Sequence, residues 1–309
     1  MTKALVVGYG SIGQRHTRLL KQLNCAVAVC SRRSLDAETT DIDSSYADLG
    51  IALADWQPDY VVVANRTHEH YPTLQYLGQQ DFTGTVLVEK PLFHHPCHPP
   101  KHSFQRLAVA YNLRFHPLLQ SLHRLLSRQS GIAAHIYVGQ YLPQWRPTVD
   151  YRQSYSAHRN QGGGVLRDLS HELDYALWLF GTWKRLTAAG GHLSALEIDS
   201  DDVFSLILET PSYPLVSIHL DYLNRLPRRE IVILTDQQTI SVDLIRGTLM
   251  IDETLETFEI PRDQTYLAEH QAVIAGDETY LCSVESAMAV LQTIDCAEQA
   301  ALTHTWISR

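Results

Sequence analysis

Lys90, Asp168 and His171 carry side chains capable of acid–base work in this 309-residue chain. An ammonium group can hydrogen-bond an oxygen and stabilise charge that develops on it, and a neutral imidazole near its own pKa can take up a proton. Asp168 and His171 are three residues apart, a spacing that one helical turn brings to the same face. Asp168 could therefore orient His171 or hold substrate hydroxyls. The blander reading is a polar pair at a helix start, with Asp168 complementing the helix dipole, and a surface lysine after a strand.

A glycine pattern supplies a second kind of chemistry. Gly8-Tyr9-Gly10-Ser11-Ile12-Gly13 follows the apolar run Ala4–Val7 and opens a stretch of helical spacing. In a G-x-G-x-x-G turn the first glycine permits the sharp bend and the second lets the backbone approach a pyrophosphate. The third allows helix and strand to pack closely. The helix start, with Ser11 and Ile12, offers N–H groups and a partial positive charge to phosphates. This context, a strand before and a helix after, points to a dinucleotide site.

The second strand of such a unit usually ends in an acid that binds the adenosine ribose. Here it ends in Cys30-Ser31-Arg32-Arg33. A small hydroxyl followed by guanidinium groups suits a 2′-phosphate, so the cofactor is read as NAD(P), with NADP favoured over NAD. Arg32 and Arg33 could otherwise be solvated loop charges, or stack on the adenine of either cofactor.

Three further clusters could meet a substrate. Asn112 and Arg114 follow the last strand of the first domain, at the carboxyl edge where open α/β sheets bind ligands. Trp145-Arg146-Pro147, Tyr151 and Tyr155 combine aromatic faces with hydroxyls and guanidinium groups, a mixture suited to a sugar. The segment Asn224 to Arg229 holds three arginines that could meet a phosphate or carboxylate. The His94-His95-Pro96-Cys97-His98 stretch is broken by prolines and lacks a nearby acid, so no metal site is expected there.

The elements needed to position these groups are readable. Short Val/Ala/Leu runs at Ala4–Val7, Ala26–Cys30, Tyr60–Ala64, Val86–Val88 and Leu107–Tyr111 suit parallel strands buried on both faces. Helical spacing lies between them, at Ile12–Leu23, Ala47–Trp56 and Thr67–Leu77. This predicts an α/β fold, a doubly wound Rossmann sheet over residues 1–115. A helix over Arg167–Phe180 follows, then strands at Val203–Leu208, Val216–Leu220, Glu230–Thr235, Thr239–Val242 and Thr248–Ile251. They predict an α+β substrate-binding and oligomerisation domain over residues 116–309, with a large, mostly antiparallel open sheet. A final helix over Ser283–Thr303 could pack back on the first domain.

Bulk properties narrow the function. The net charge is -9 with no basic stripe, which argues against nucleic acid as a partner. Five cysteines, at 25, 30, 97, 282 and 296, form no CxxC pair and read as reduced thiols of a cytoplasmic protein. No apolar stretch reaches membrane-span length, and the short run after Met1 reads as a strand, not a signal peptide.

Several motifs together resemble the Gfo/Idh/MocA family of sugar and polyol oxidoreductases. They are the glycine turn, Ala64-Asn65-Arg66-Thr67-His68-Glu69-His70, Glu89-Lys90-Pro91, Tyr111-Asn112-Leu113-Arg114-Phe115, and the run from Gly162-Gly163-Gly164 through Asp168, His171 and Asp174. The resemblance implies that Lys90 serves the nicotinamide and the reacting hydroxyl, that His171 is the acid/base, and that Asp168 assists. It adds Asn65, Thr67, His70 and Glu89 to the cofactor-binding residues, and a cis junction at Pro91. Arg66 departs from the family pattern, which often has proline there.

The implied activity is hydride transfer between NAD(P) and a secondary alcohol or ketone of a sugar, sugar derivative or nucleotide sugar. The implied assembly is a homodimer or homotetramer through the second sheet. A dinucleotide-binding sensor or structural subunit without turnover is the alternative, as is a family member that uses NAD without net redox change.

Overall fold

The computed structural model describes residues 1–32, 42–127 and 131–309. The chain forms two compact units, Met1–Phe115 with Arg262–Ala287, and His116–Pro261 with Met288–Arg309. No helix among the described residues is long and apolar enough to cross a membrane.

The first unit is built on β1 (Lys3–Val7), β2 (Ala26–Cys30), β3 (Ser44–Tyr46), β4 (Tyr60–Val63), β5 (Thr85–Val88) and β6 (Arg106–Val109). These six strands are mutually parallel in the order β6-β5-β4-β1-β2-β3. Every residue of β2, β4 and β5 is buried, as continuous apolar runs require when helices cover both faces of a sheet. Helices α1 (Ser11–Gln22), α2 (Leu49–Trp56) and α3 (Thr67–Gln79) make the crossovers. This is the Rossmann sheet that the apolar runs predict.

Arg262–Ala287, grouped with the second domain in the sequence reading, belongs to this first unit. The reason is burial. Ala272, Val273 and Leu281 join the core formed by Val6, Val27 and Val62.

The second unit begins with α4 (Pro117–Leu126) and β7 (Ala133–Gly139). It continues with α5 (Val165–Asp168), α6 (His171–Phe180), β8 (Arg185–Gly191), β9 (Val203–Glu209), β10 (Leu215–Asp221) and β11 (Arg228–Leu234). Strands β12 (Thr239–Asp243), β13 (Thr248–Ile251) and β14 (Thr254–Thr257) complete its middle part. Further along lie α7 (Gln264–Ala275) and β15 (Cys282–Ser283), both of the first unit, with β15 antiparallel to β6. The chain closes with α8 (Val284–Thr303) and β16 (Ile307–Ser308).

The larger sheet runs β14-β13-β12-β11-β7-β10-β9-β8-β16 and is antiparallel except where β7 meets β10. Alternation orients it: Phe204, Leu206 and Leu208 are buried while Ser205 and Ile207 are exposed. Its central strand, β7, lies in a stretch that no apolar run marks.

The single helix expected over 167–180 is two. The Glu172 N–H bonds the Leu169 carbonyl, a three-residue step at the junction, so α5 ends at Asp168 and α6 starts at His171.

Candidate active site

In the first unit, the glycine turn is fixed by sterics. Gly8 has φ +100°, and a Cβ there would lie 2.6 Å from the Asn65 nitrogen. A Cβ on Gly13 would lie 2.1 Å from the Gly8 carbonyl oxygen. Both positions exclude any side chain. Gly10 differs, because a Cβ there would meet nothing within 4 Å. Gly10 also heads α1 without a side-chain cap, so the first-turn N–H groups, with Ser11 and Ile12, have no capping side chain over them. Bare backbone facing open space at a helix start suits a pyrophosphate.

The other candidate residues of this unit cluster at the carboxyl ends of its strands. Ser31 follows β2, and its N–H bonds the Tyr46 carbonyl at 2.9 Å. The Arg32 guanidinium is 83% exposed and pairs with Glu69 of α3 at 2.5 Å. Arg33 lies outside the described residues. Asn65 follows β4 and donates to Thr73 at 2.8 Å, while its Oδ1 is buried without a hydrogen-bond partner. Thr67 is buried in the first turn of α3. Arg66 precedes that turn and gives it no side-chain cap.

Lys90 follows Glu89 at the end of β5, and the Lys90–Pro91 bond is cis, as the resemblance implies. Buried His70 fastens this turn to the β4 end. Its Nδ1 lies 3.1 Å from the Pro91 and Leu92 carbonyls, and its Nε2 lies 3.2 Å from that of Asn65. Burial lowers the His70 pKa, against the pull of the three carbonyls.

The Glu89 carboxylate accepts the Lys90 N–H at 3.0 Å on one oxygen and His16 Nε2 at 2.9 Å on the other. Burial pushes its pKa up, but His16 and the Lys90 charge and N–H outweigh that and hold it below the usual carboxylate range. His16 Nδ1 meets His270 Nε2 at 2.8 Å, and His270 Nδ1 meets the Tyr60 hydroxyl at 2.9 Å. Sequence reasoning missed His16, His270 and Tyr60. The only local signal was His16 on the buried face of α1.

Asn112 is buried and donates to Thr265 at 2.6 Å, and Arg114 is also buried. Both therefore lie inside the first unit.

In the second unit, Asp168 is buried at the end of α5. It accepts the Tyr222 hydroxyl at 2.7 Å and also bonds the Tyr155 hydroxyl. Burial, then the Asp168 charge and hydrogen bond, pushes both phenols well above their ordinary value, so both stay protonated donors. Trp145 packs edge-on against Tyr222 with ring centroids 5.2 Å apart. Trp145, Arg146, Tyr151 and Ser154 line an open depression with Leu142 and Val149. Asp168, Tyr155, Trp145, Arg146 and Tyr151 thus fall in one neighbourhood, and Tyr222, distant in sequence, is the member that sequence reasoning did not find.

His171 is the partly buried first residue of α6. Next to it, fully buried Glu172 pairs with Arg229 at 2.8 Å. Two of the three consecutive glycines are closed in by the protein itself. A Cβ on Gly163 would lie 2.2 Å from the Tyr155 carbonyl oxygen, and one on Gly164 2.2 Å from Asp201 Oδ1. The arginines after β10 have internal partners. Arg225 stacks on Tyr141 at 4.1 Å, and Arg228 pairs with Glu230 at 2.6 Å.

Two family models match. One, described as an oxidoreductase family with an NAD-binding Rossmann fold, covers residues 2–102. The other, described as a GFO/IDH/MocA C-terminal domain, covers residues 132–242. The chain belongs to the GFO/IDH/MocA oxidoreductase family.

No curated protein sequence matches the chain. Among solved structures, this GFO/IDH/MocA chain is similar to GenD2 from gentamicin A biosynthesis in complex with NAD, at 19% identity, TM-score 0.80, and 100% and 96% of the two chains covered. It is similar to the WlbA dehydrogenase from Bordetella pertussis in complex with NADH and UDP-GlcNAcA, at 18% identity, TM-score 0.81, with 100% and 98% covered. It is also similar to levoglucosan dehydrogenase in complex with NADH and L-sorbose, at 14% identity, TM-score 0.83, with 100% and 98% covered. At these identities the likeness shows a shared fold.

Proposed function

We propose that this chain is an NAD(P)-dependent dehydrogenase or reductase acting on CH–OH groups, with a sugar, sugar derivative or nucleotide sugar as substrate. The observation that carries the reading is the buried Asp168 carboxylate, held by two tyrosine hydroxyls beside Trp145 and Arg146. A fixed anion with aromatic faces around it suits a polyhydroxylated ring. Gly10 supports the dinucleotide, since its missing side chain leaves the helix start open. The sugar ligands named with WlbA and levoglucosan dehydrogenase support the substrate class.

When bound, the nicotinamide takes or returns the hydride. In this reading Lys90 donates a hydrogen bond to the reacting oxygen, and His171 exchanges its proton. Asp168 binds substrate hydroxyls or holds His171 in orientation. NADP is favoured over NAD through Ser31 and Arg32. The Arg32–Glu69 pair does not prevent this, because so exposed an ion pair contributes at most about 1 kcal/mol and is easily exchanged for a phosphate.

The reading includes a cytoplasmic homodimer or homotetramer, with no nucleic acid or membrane partner. The outer face of the large sheet, with Ile207 and Met250 exposed, supports assembly there. Light scattering that finds a monomer at micromolar concentration overturns that part.

The test of the function is a fluorescence titration with NADPH and NADH, followed by a screen of sugars and nucleotide sugars for nicotinamide turnover. Binding and turnover that is lost in His171→Ala support the reading. Failure to bind either cofactor overturns it.

A further inference from the structure

We propose that His16 and His270 are positioning residues for Lys90, acting through the Glu89 carboxylate. The inference rests on the role given to Lys90 above. His16, His270, Tyr60 and Glu89 form one continuous chain of contacts, and none is more than 8% exposed. At such burial water does not compete, and each hydrogen bond depends on its neighbours.

The chemistry of the groups sets the direction of the chain. Glu89 is ionised and can only accept. His16 therefore presents Nε2–H to it, and in the proposed chain its Nδ1 accepts. That acceptor requires His270 to donate from Nε2–H, which leaves His270 Nδ1 to accept the Tyr60 hydroxyl proton. Every donor then meets one acceptor, and one carboxylate fixes the tautomers of two histidines. Burial holds the His270 pKa well down, which agrees with a neutral His270 ring. The other titratable groups packed here include Tyr266, whose ring lies 5.8 Å from that of His16, Arg15 stacked on Tyr266, and Glu269 and Cys25 near Tyr60.

What the chain holds is the turn that carries Lys90. Glu89 spends one oxygen on His16 and the other on the Lys90 N–H. His16 comes from α1, His270 from α7 and Tyr60 from β4, so three elements restrain one carboxylate. Without the His16 donor the carboxylate can rotate, and the Lys90 backbone loses a fixed acceptor.

The test uses the full chain, isotope-labelled for NMR, with an NADH titration as a separate arm. Wild type is expected to show His16 and His270 both as Nε2–H tautomers. In His16→Leu the Lys90 amide is expected to exchange about tenfold faster, the loss of one hydrogen bond to a charged group, while amides of β1 and β4 stay within about twofold. His16→Gln, whose amide nitrogen can replace Nε2, is expected to restore slow exchange, and NADH affinity should follow the same order. Tyr60→Phe removes one oxygen with little change in packing and is expected to release the His270 tautomer. The proposal falls if Lys90 exchange merely follows the whole sheet, or if His16→Gln behaves like His16→Leu. Should His16→Leu not fold, unchanged His270 tautomer and Lys90 exchange in Tyr60→Phe overturn it instead. Wild type that fails to bind NADH yet shows the expected tautomers and exchange supports the hold on residue 90 and overturns its role in hydride chemistry.

Discussion

The Tyr222 hydroxyl donates to the Asp168 carboxylate at 2.7 Å, from a residue 54 positions further along the chain. Tyr222 follows β10 and Asp168 ends α5, so the bond also ties the helix to the sheet of its own unit. Removing a donor from a buried carboxylate costs about 1.5–3 kcal/mol. Tyr222→Phe is expected to lower unfolding free energy by that amount in denaturant titration and to reduce turnover more than cofactor affinity. Unchanged stability and turnover together would show that the bond has no weight.

The glycine turn makes a sharper prediction, because its members differ in what surrounds them. Gly13→Ala drives a Cβ to 2.1 Å from backbone and should destabilise the first unit by about 1–3 kcal/mol. Gly10→Ala meets nothing within 4 Å and should leave thermal stability unchanged. If a pyrophosphate lies against Gly10, that same substitution weakens NADH binding about tenfold or more by fluorescence titration. A Gly10→Ala protein that binds NADH like wild type removes the pyrophosphate from this turn.

In the proposed reading Arg32 separates the two cofactors. Its guanidinium is 83% exposed, so Arg32→Ala should change stability by less than about 0.5 kcal/mol. NADPH affinity should fall about tenfold while NADH affinity holds, because only the 2′-phosphate gains a bidentate partner. Equal losses for both cofactors would instead assign Arg32 to the adenine.

Much of the first unit was legible because its signals are local. A buried parallel strand is a continuous apolar run, and a dinucleotide turn is three glycines within six residues. Asp168 and Lys90 stood out through the family motifs around them. Their partners did not, since His16 meets His270 across 254 positions and no spacing rule spans that distance. β7 escaped for a different reason. Its outward positions carry His135 and Tyr137 and the strand opens on two alanines, so the alternation is weak in hydrophobicity although burial alternates from Ala134 to Val138. The placement of α7 depends on which core receives Ala272 and Val273, which the segment alone does not reveal.

His116 gives the chain a pH dependence of known sign. Its side chain accepts the Leu118 N–H at the head of α4. Burial, then the Arg229 charge, takes its pKa down to about 4, against the pull of the Leu244 carbonyl. The unfolded chain, with an ordinary histidine near 6.5, binds more protons than the folded one between those values. Stability is therefore full above pH 6.5, falls as the pH drops toward about 4, and levels off below, with a total loss of roughly 3 kcal/mol from this group. His116→Asn keeps a good helix cap and removes the titration. Denaturant unfolding across that range should show a shallower loss in the variant. His70 and His270, also held down by burial, leave some slope behind. A profile identical to wild type would show that His116 titrates normally in the folded chain, and that Arg229 and burial do not act on it.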